Sequence, residues 1–223
     1  MQPRHHNRRQ YFNELAVTSE KYFIPYIQQF CKVSDKLNVL EIGCGDGGNL
    51  LPFSRMGCNV VGVDMCEGRI RDARKFFEEE GAEGRFIASD VFQIEELRHQ
   101  FDLVICHDVI EHIYDKSGFV QKCKQMLKED GVIFISFPAW HMPFGGHQQL
   151  CQSRFLSHLP FFHLLPAALY GWILKAFKEN EECVSGLLDI KRTKCPIELF
   201  ERTVRKEGFE TIIVNCNPET VST

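Results

Sequence analysis

The chain has 223 residues, a formal net charge of −4 and an apolar fraction of 44%. This length suits one domain with a sizeable core, and the apolar fraction argues against large-scale disorder. The negative charge disfavours nucleic acid as a partner.

The N-terminal region is predicted to be helical. Five basic residues cluster between positions 4 and 9, and we expect them to form a frayed tail. Residues 9–32 carry apolar side chains at helical spacing, and Pro25 should divide this stretch into two helices. Residues 1–36 are therefore expected to form a helical cap on the domain.

From residue 37 the pattern changes to alternating strands and helices. The strands are predicted at 37–42, 59–64, 85–89, 101–106 and 132–137, and the helices at 50–56, 69–80 and 116–128. The last of these helices should end at Asp130-Gly131. Residues 103–106 and 132–135 are continuously apolar, which is typical of parallel strands covered on both faces. The alternation predicts an α/β fold with a doubly wound, mostly parallel, Rossmann-like sheet in residues 37–137.

The remainder of the chain is predicted to complete this single domain. Residues 138–195 form an insertion on the acceptor side, and residues 196–223 supply a last helix, begun near Pro196 and ended by Gly208, and a sixth strand at 209–214. Residues 155–174 lack charge, but their prolines and Gly171 disfavour a transmembrane helix. Two alternatives remain for this run: a lid over the acceptor, which we favour, and a segment in peripheral contact with a membrane.

Ten cysteines occur without a C-x-x-C pair or zinc-finger spacing, so the sequence predicts no metal site. No signal peptide is recognisable at the start. We therefore expect reduced thiols in a cytoplasmic protein. Cys44 lies in a glycine-rich segment and is expected to be the thiol that reacts most readily with thiol reagents.

The first predicted strand runs into that glycine-rich segment, Glu41-Ile-Gly-Cys-Gly-Asp-Gly-Gly48. Its glycines satisfy G-x-G-x-x-G, which alone is a weak dinucleotide signal. Three acids near the strand ends sharpen the interpretation. Glu41 would repel a pyrophosphate, Asp64 could accept both ribose hydroxyls, and Asp90 could accept from an adenine amine. These acids suit a ligand that carries an ammonium, a sulfonium and no phosphate.

Residues 38–137 resemble the class I S-adenosylmethionine-dependent methyltransferases, and the ubiquinone-biosynthesis O-methyltransferases in particular. The glycine loop resembles theirs, Asp64 the ribose-binding acid, Asp90 the adenine-contacting acid, and residues 101–112 their fourth-strand segment. The resemblance implies S-adenosyl-L-methionine as cofactor and S-adenosyl-L-homocysteine as product. The cofactor-binding residues that it implies are Glu41, Gly43, Cys44, Gly45, Gly47, Asp64, Met65, Asp90, Val91, His107 and Asp108.

Two histidines are candidate general bases for an acceptor hydroxyl. The family resemblance makes His112 the first choice, although a packing role in the next helix is an equal alternative. His147 is either an alternative base or a substrate ligand, and an incidental histidine in a polar loop is again an equal alternative. The predicted substrate-binding residues are Trp140, His141, His147 and Gln148.

These patterns predict methyl transfer from S-adenosylmethionine to a small or lipid-like acceptor, at oxygen. The alternatives are an NAD(P)-dependent oxidoreductase and a non-catalytic module that binds S-adenosylmethionine. The family fold usually closes with a seventh, antiparallel strand, and too few residues follow position 214 to supply it. Because an unpaired sheet edge favours association, monomer and homodimer remain alternatives.

Overall fold

The computed structural model of the protein describes residues 7–209. These residues divide into two compact units. The sheet unit comprises residues 7–109 and 121–136, and the helical unit comprises residues 110–120 and 137–209. Each unit has its own apolar core. The expectation of one domain with four segments stays a prediction.

The sheet unit contains five parallel strands in the order β3-β2-β1-β4-β5. The strands are β1 (Asn38–Ile42), β2 (Asn59–Asp64), β3 (Arg85–Ala88), β4 (Phe101–His107) and β5 (Leu127–Ser136). Val39 of β1 pairs with Val60 on one side and Leu103 on the other, so the strand order reverses between β1 and β4. This order confirms the Rossmann-like prediction. Such a reversal is the usual ligand position in α/β sheets. The sixth predicted strand lies outside the described residues, apart from its first position.

Helices flank this sheet and begin near the predicted positions. They are α1 (Arg8–Thr18), α2 (Ile24–Ile27), α3 (Leu51–Arg55) and α4 (Glu67–Glu79), with a 3₁₀ turn at Gly48–Leu50. Pro25 does not cleanly separate two helices. Residues Ser19–Phe23 instead form a π-helical turn, in which the Ile24 amide donates to the Ser19 carbonyl. Because proline has no N–H, the regular hydrogen bond at position 25 is missing, and the wider turn lies just before it.

The predicted end of the helix at 116–128 was wrong. Helix α5 (Lys116–Met126) ends earlier, and β5 already begins at Leu127. Leu127 is buried and pairs with Phe101 across an irregularity in the ladder. Gly131 therefore lies within β5 rather than after the helix. Burial and strand pairing of Leu127 outweigh the turn preference of Asp130-Gly131.

Part of the basic N-terminal cluster is ordered rather than frayed. Arg8 forms ion pairs with Asp46 and, at 3.2 Å, with Asp72. Arg9 forms an ion pair of 2.9 Å with Glu79. These charges join the start of α1 to the glycine loop and to α4. The other basic residues of the cluster lie outside the described residues.

The helical unit contains a 3₁₀ turn at Ile110–His112 and short helices. The helices that lie wholly in it are α6 (Arg154–Ser157), α7 (Ala167–Ala176), α8 (Glu181–Thr193) and α9 (Ile197–Lys206). Pro196 precedes the first turn of α9, and Gly208 follows its end with φ of 75°, as the sequence predicted. Within residues 7–209, no helix is both long and apolar enough to cross a membrane.

The uncharged run of residues 155–174 has one buried and one exposed side. Tyr170 and Leu174 of α7 are buried in the core of the helical unit, whereas Trp172 is 67% exposed. Phe155 stacks on Phe177 at 5.8 Å between ring centroids, and both side chains are exposed. The choice between a lid and a membrane contact stays a prediction.

Candidate functional site

The glycine loop at the end of β1 depends on glycine for conformation and for space. Gly43 has φ of 74° and Gly47 has φ of 83°, both in the left-handed region. A Cβ atom on Gly43 would lie 2.4 Å from Val109 Cγ2, and one on Gly47 would lie 2.9 Å from the ring of Phe86. Neither position accepts a larger residue without local rearrangement.

Asp64, the last residue of β2, is held by two backbone amides. Its Oδ2 accepts a hydrogen bond of 2.9 Å from the Gly45 amide, and its Oδ1 accepts one of 2.8 Å from the Cys66 amide. Each carboxylate oxygen keeps a free lone pair after these contacts. The predicted ribose-binding acid is therefore fixed against the glycine loop and still able to accept from two hydroxyl groups.

Glu41, near the end of β1, is almost fully buried, and only one of its two carboxyl oxygens has a hydrogen-bond partner among the described residues. Its Oε1 accepts a hydrogen bond of 2.7 Å from Asn49, while its Oε2 has no partner among the described residues. Burial raises the pKa of Glu41 to about 8, against the opposing effect of the Asn49 hydrogen bond. A cationic group that reached Oε2 would supply the missing partner and favour the ionised carboxylate. This property fits a sulfonium or ammonium ligand.

Three further residues that are predicted to contact the cofactor lie just after strands β3 and β2. Asp90 begins a 3₁₀ turn, and its Oδ1 accepts from the Phe92 amide at 3.0 Å. Val91 is buried, whereas Met65 is 75% exposed. Asp90 thus fixes its own loop with one oxygen, and its other oxygen keeps its capacity to accept from an amine.

His107 is the last residue of β4, and Asp108 follows it directly. The His107 ring packs edge-on against Phe23 at 5.1 Å, and its Nε2 lies 3.6 Å from Asp108 Oδ2. Asp108 has φ of 53°, and its amide donates to the Ser136 carbonyl. Both residues occupy the strand end at which the strand order reverses, which is the place expected for cofactor contacts.

The prediction for Cys44 reactivity was wrong. Cys44 is buried, and burial raises the pKa of its thiol well above the usual value, with Glu41 and Asp64 adding to the shift. Thiols react as thiolates, so these effects protect Cys44. Cys66 is the exposed cysteine of this region. The sequence placed Cys44 in the loop correctly but gave no measure of its burial.

In the helical unit, the two candidate bases flank one buried acid. His147 Nε2 lies 3.3 Å from Glu111 Oε1, and His112 Nε2 lies 3.8 Å from the same oxygen. The two imidazole rings are 5.4 Å apart between centroids, and His147 has φ of 56°. One ligand atom of each residue lies within 4.8 Å of the others, so the group could share a proton or hold a cation.

The predicted substrate-binding residues occupy different environments. Trp140 is buried, and its carbonyl accepts a hydrogen bond of 2.7 Å from His163. Gln148 is 0% exposed, and its amide donates to the carbonyls of Pro143 and Leu159. Both residues organise the loop after β5. Of the set, His141 is exposed and His147 is half-buried.

The glycine pair in this loop is packed tightly. A Cβ atom on Gly145 would lie 2.2 Å from the Ala139 carbonyl oxygen. One on Gly146 would lie 2.1 Å from the Cβ of His163. Glycine is therefore needed at both positions for close approach of neighbouring groups, and it helps to fix the backbone that leads to His147.

Comparison with known proteins gives a family match for part of the chain. Residues 40–135 match the family model described as a methyltransferase domain. Residues 40–135 form a class I S-adenosylmethionine-dependent methyltransferase domain. S-adenosylmethionine is the cofactor of this family.

Two relatives show how far the likeness extends. The chain is 35% identical over 118 residues to a ubiquinone biosynthesis O-methyltransferase of Actinobacillus pleuropneumoniae. The matched residues make up 51% of this chain and 50% of the relative. It is 33% identical over 105 residues to the protein of the same name from Chelativorans sp.. Here the matched residues make up 47% of this chain and 42% of the relative. The chain thus spans about half the length of the curated relatives that it matches.

Solved structures share the fold. Phosphoethanolamine N-methyltransferase 2 of Haemonchus contortus, in complex with S-adenosyl-L-methionine, gives a TM-score of 0.57 at 22% identity and covers 83% of this chain and 36% of that chain. The plantazolicin methyltransferase BpumL, in complex with S-adenosylhomocysteine, gives 0.56 at 17% identity and covers 89% and 63%. These likenesses support the Rossmann-like fold of the methyltransferase domain.

Three residues with clear roles in the geometry were missing from the predicted set. Asn49 is the partner of Glu41, Arg8 binds Asp46 of the glycine loop, and Glu111 contacts both candidate bases. A weak signal existed for two of them. Asn49 is a polar residue directly after the glycines, and Glu111 directly precedes His112.

Proposed function

We propose that the chain transfers a methyl group from S-adenosylmethionine to a small or lipid-like acceptor, at oxygen. The observation that carries this proposal is the pair Glu41 and Asp64. Glu41 is a buried carboxyl whose Oε2 has no hydrogen-bond partner within residues 7–209, and Asp64 is a carboxylate fixed by loop amides. The pair suits a ligand with cationic groups and a ribose.

The cofactor supplies an electrophilic methyl group on its sulfonium. We assign Asp64 to the ribose hydroxyls, Asp90 to the adenine amine and Glu41 to the cationic end. The glycine loop admits the ligand close to the backbone, and Met65, Val91, His107 and Asp108 complete the proposed contacts.

We propose that His147 or His112 acts as the general base that removes the proton of an acceptor hydroxyl. The buried carboxylate of Glu111 lies 3.3 Å from His147 Nε2. A carboxylate in that position orients an imidazole and stabilises the imidazolium that forms when the base takes a proton. The shorter distance favours His147, whereas the family resemblance favours His112.

The acceptor is proposed to carry an apolar or aromatic part. Residues 155–177 present exposed aromatic side chains, among them Phe155, Trp172 and Phe177. We favour a lid function for this segment over peripheral membrane contact. Co-sedimentation with neutral and anionic vesicles separates these alternatives, because only the membrane alternative predicts binding without an acceptor.

The oxidoreductase alternative is not favoured. A nicotinamide cofactor carries a pyrophosphate, and Glu41 would place a buried carboxyl beside it. Methylation at oxygen also agrees with the names of the curated relatives. We further propose a cytoplasmic location, in which free thiols such as the nine described here stay reduced.

A cofactor-consumption screen tests the proposed reaction. The full chain is incubated with S-adenosylmethionine and phenols, quinone precursors, lipid-linked sugars, fatty acids or matched amines, and the formation of S-adenosylhomocysteine is measured. We expect turnover with a hydroxyl-bearing apolar acceptor and loss of turnover in Asp64→Asn. Turnover confined to amine acceptors would contradict methylation at oxygen.

A further inference from the structure

We propose that Cys151, Glu179 and Cys183 form a metal site for zinc or a similar divalent cation in the helical unit. Cys151 follows the 3₁₀ turn at Gln148–Leu150, Glu179 lies just before α8, and Cys183 lies in the first turn of α8. One ligand atom from each of the three residues lies within 4.8 Å of the others. The site is independent of the proposed methyl transfer.

The burial of the three side chains suits a structural ion. Cys151 is 2% exposed and Glu179 is 7% exposed, so two of the ligands lie in the interior. Cys183 is partly exposed and gives an ion a route from solvent. Cys151 belongs to the apolar core that also contains Tyr170 and Val184. A bound ion would therefore join the loop after Leu150 to the start of α8.

Glu179 is already oriented toward this role. Its Oε2 accepts a hydrogen bond of 2.8 Å from the Gln152 amide, and its Oε1 accepts one of 2.9 Å from the Ser153 amide. Each oxygen keeps a lone pair for a metal. Outer hydrogen bonds of this kind fix the orientation of carboxylate ligands in known metal sites.

The chemistry of the donors selects the ion. Two thiolates and one carboxylate suit zinc, with Zn–S near ~2.3 Å and Zn–O near ~2.1 Å in tetrahedral sites. When the ion binds, the two thiols release two protons to solvent and two S–M bonds form, while the carboxylate binds without a proton change. No redox step occurs. The cation would also offset the repulsion among three acidic groups.

Tyr170 gives a second, independent indication of a missing group. Its hydroxyl is buried and has no hydrogen-bond partner among the described residues. A solvent molecule in the fourth position of the metal would give this hydroxyl a partner. A disulfide between the two cysteines would not.

This inference reverses the expectation that the chain has no metal site. Sequence spacing could not reveal the cluster, because Cys151 and Cys183 lie far apart in the chain and no short cysteine motif joins them. Only the folded loop and α8 bring the three side chains together.

Cobalt titration of the full chain tests the site without reference to methyl transfer. The protein is stripped of metal, kept reduced with a phosphine, and titrated with Co²⁺ while the thiolate-to-cobalt charge-transfer absorption is recorded. We expect saturation at about one equivalent. The absorption should be lost in Cys151→Ser and Cys183→Ser, and affinity should fall ~10- to 100-fold in Glu179→Gln.

Cys195→Ser is the matched control, since Cys195 is another buried cysteine of the same unit. It should keep the full absorption. The proposal would be overturned by a wild-type chain without thiolate absorption, or by equal absorption in both cysteine variants. Recovery of a Cys151–Cys183 disulfide whose reduction restores no cobalt binding would also overturn it.

A second measurement covers variants that fail to fold. Addition of Zn²⁺ to the metal-free wild-type chain should raise its Tm, and a chelator should reverse the change, because an ion that binds the folded state stabilises it. An unchanged Tm at saturating Zn²⁺ would contradict the proposal.

Discussion

The two units hold their acidic residues in different ways. In the sheet unit, Asp64 and Asp90 lie at strand ends or just after them, and backbone amides of nearby loops bind them. In the helical unit, Glu111 lies beside His147, and Glu179 accepts from the amides of Gln152 and Ser153, so both acids depend on loop residues that are distant in sequence. Strand ends of a parallel sheet gather residues in a regular way, whereas loop-borne clusters depend on the whole tertiary fold.

The largest expected effect concerns the histidines of the helical unit. If His147 is the base, His147→Ala should lower turnover ~10²- to 10⁴-fold, because a general base typically contributes that much. Affinity for S-adenosylhomocysteine should stay unchanged, since the proposed cofactor residues lie in the sheet unit. Turnover with the acceptor found in the screen, together with calorimetry, measures both quantities.

Two further variants complete this test. His99→Ala is the control, because His99 is an exposed histidine outside every proposed site. His112→Ala separates the two candidates, since the larger loss of turnover identifies the base. Unchanged turnover in both His112→Ala and His147→Ala would contradict a histidine base.

The next effect concerns Asp64 of the sheet unit. Asp64→Asn should weaken S-adenosylhomocysteine binding ~10- to 100-fold, since hydrogen bonds to a charged acceptor are each worth ~1.5 to 3 kcal/mol. Asp35→Asn, a change at an exposed carboxylate of the same unit, should bind normally. Equal affinity in the two variants, measured by calorimetry, would exclude Asp64 from the ribose contact.

Local sequence patterns predicted some features of the fold and site, and other features depended on the tertiary structure. The approximate positions of the strands, the glycine loop and the acids at the strand ends followed from local patterns. The extent of burial did not, so the predicted reactivity of Cys44 was wrong. Long-range partners such as Asn49 for Glu41 and Glu111 for His147 required the fold.

A smaller effect should appear in the pH dependence of stability. Glu41 has a folded pKa of about 8, above the unfolded value of ~4.3, so its contribution to stability is lost as pH rises through that interval. Glu41→Gln keeps an acceptor for Asn49 and removes the titration. We compare free energies of unfolding from urea titrations between about pH 5 and about pH 8. The value for Glu41→Gln should increasingly exceed that of the wild type as pH rises, by up to ~1 kcal/mol per pH unit.

Glu83→Gln, at an exposed position, is the control for this series. It should follow the wild-type curve. Parallel stability curves for wild type and Glu41→Gln would show that the folded protein does not hold Glu41 in its neutral form.

The smallest expected effect concerns Arg8, which joins α1 to the glycine loop through Asp46. The hydrogen bond that Arg8 donates to the Asp46 carboxylate raises the pKa of the Arg8 guanidinium. Arg8→Ala should weaken S-adenosylhomocysteine binding ~3- to 10-fold, because the partly exposed ion pair is modest in energy. Arg98→Ala, which removes the exposed ion pair with Glu95, should change nothing. Equal affinities for the two variants would show that α1 does not support the loop.

We propose that the glycine loop binds S-adenosylmethionine and its product S-adenosylhomocysteine, and not a dinucleotide. Isothermal titration calorimetry of the full chain with S-adenosylhomocysteine and with NAD tests it most directly. We predict saturable binding of S-adenosylhomocysteine and no heat with NAD at the same concentrations. Saturable binding of NAD with no response to S-adenosylhomocysteine would contradict the claim.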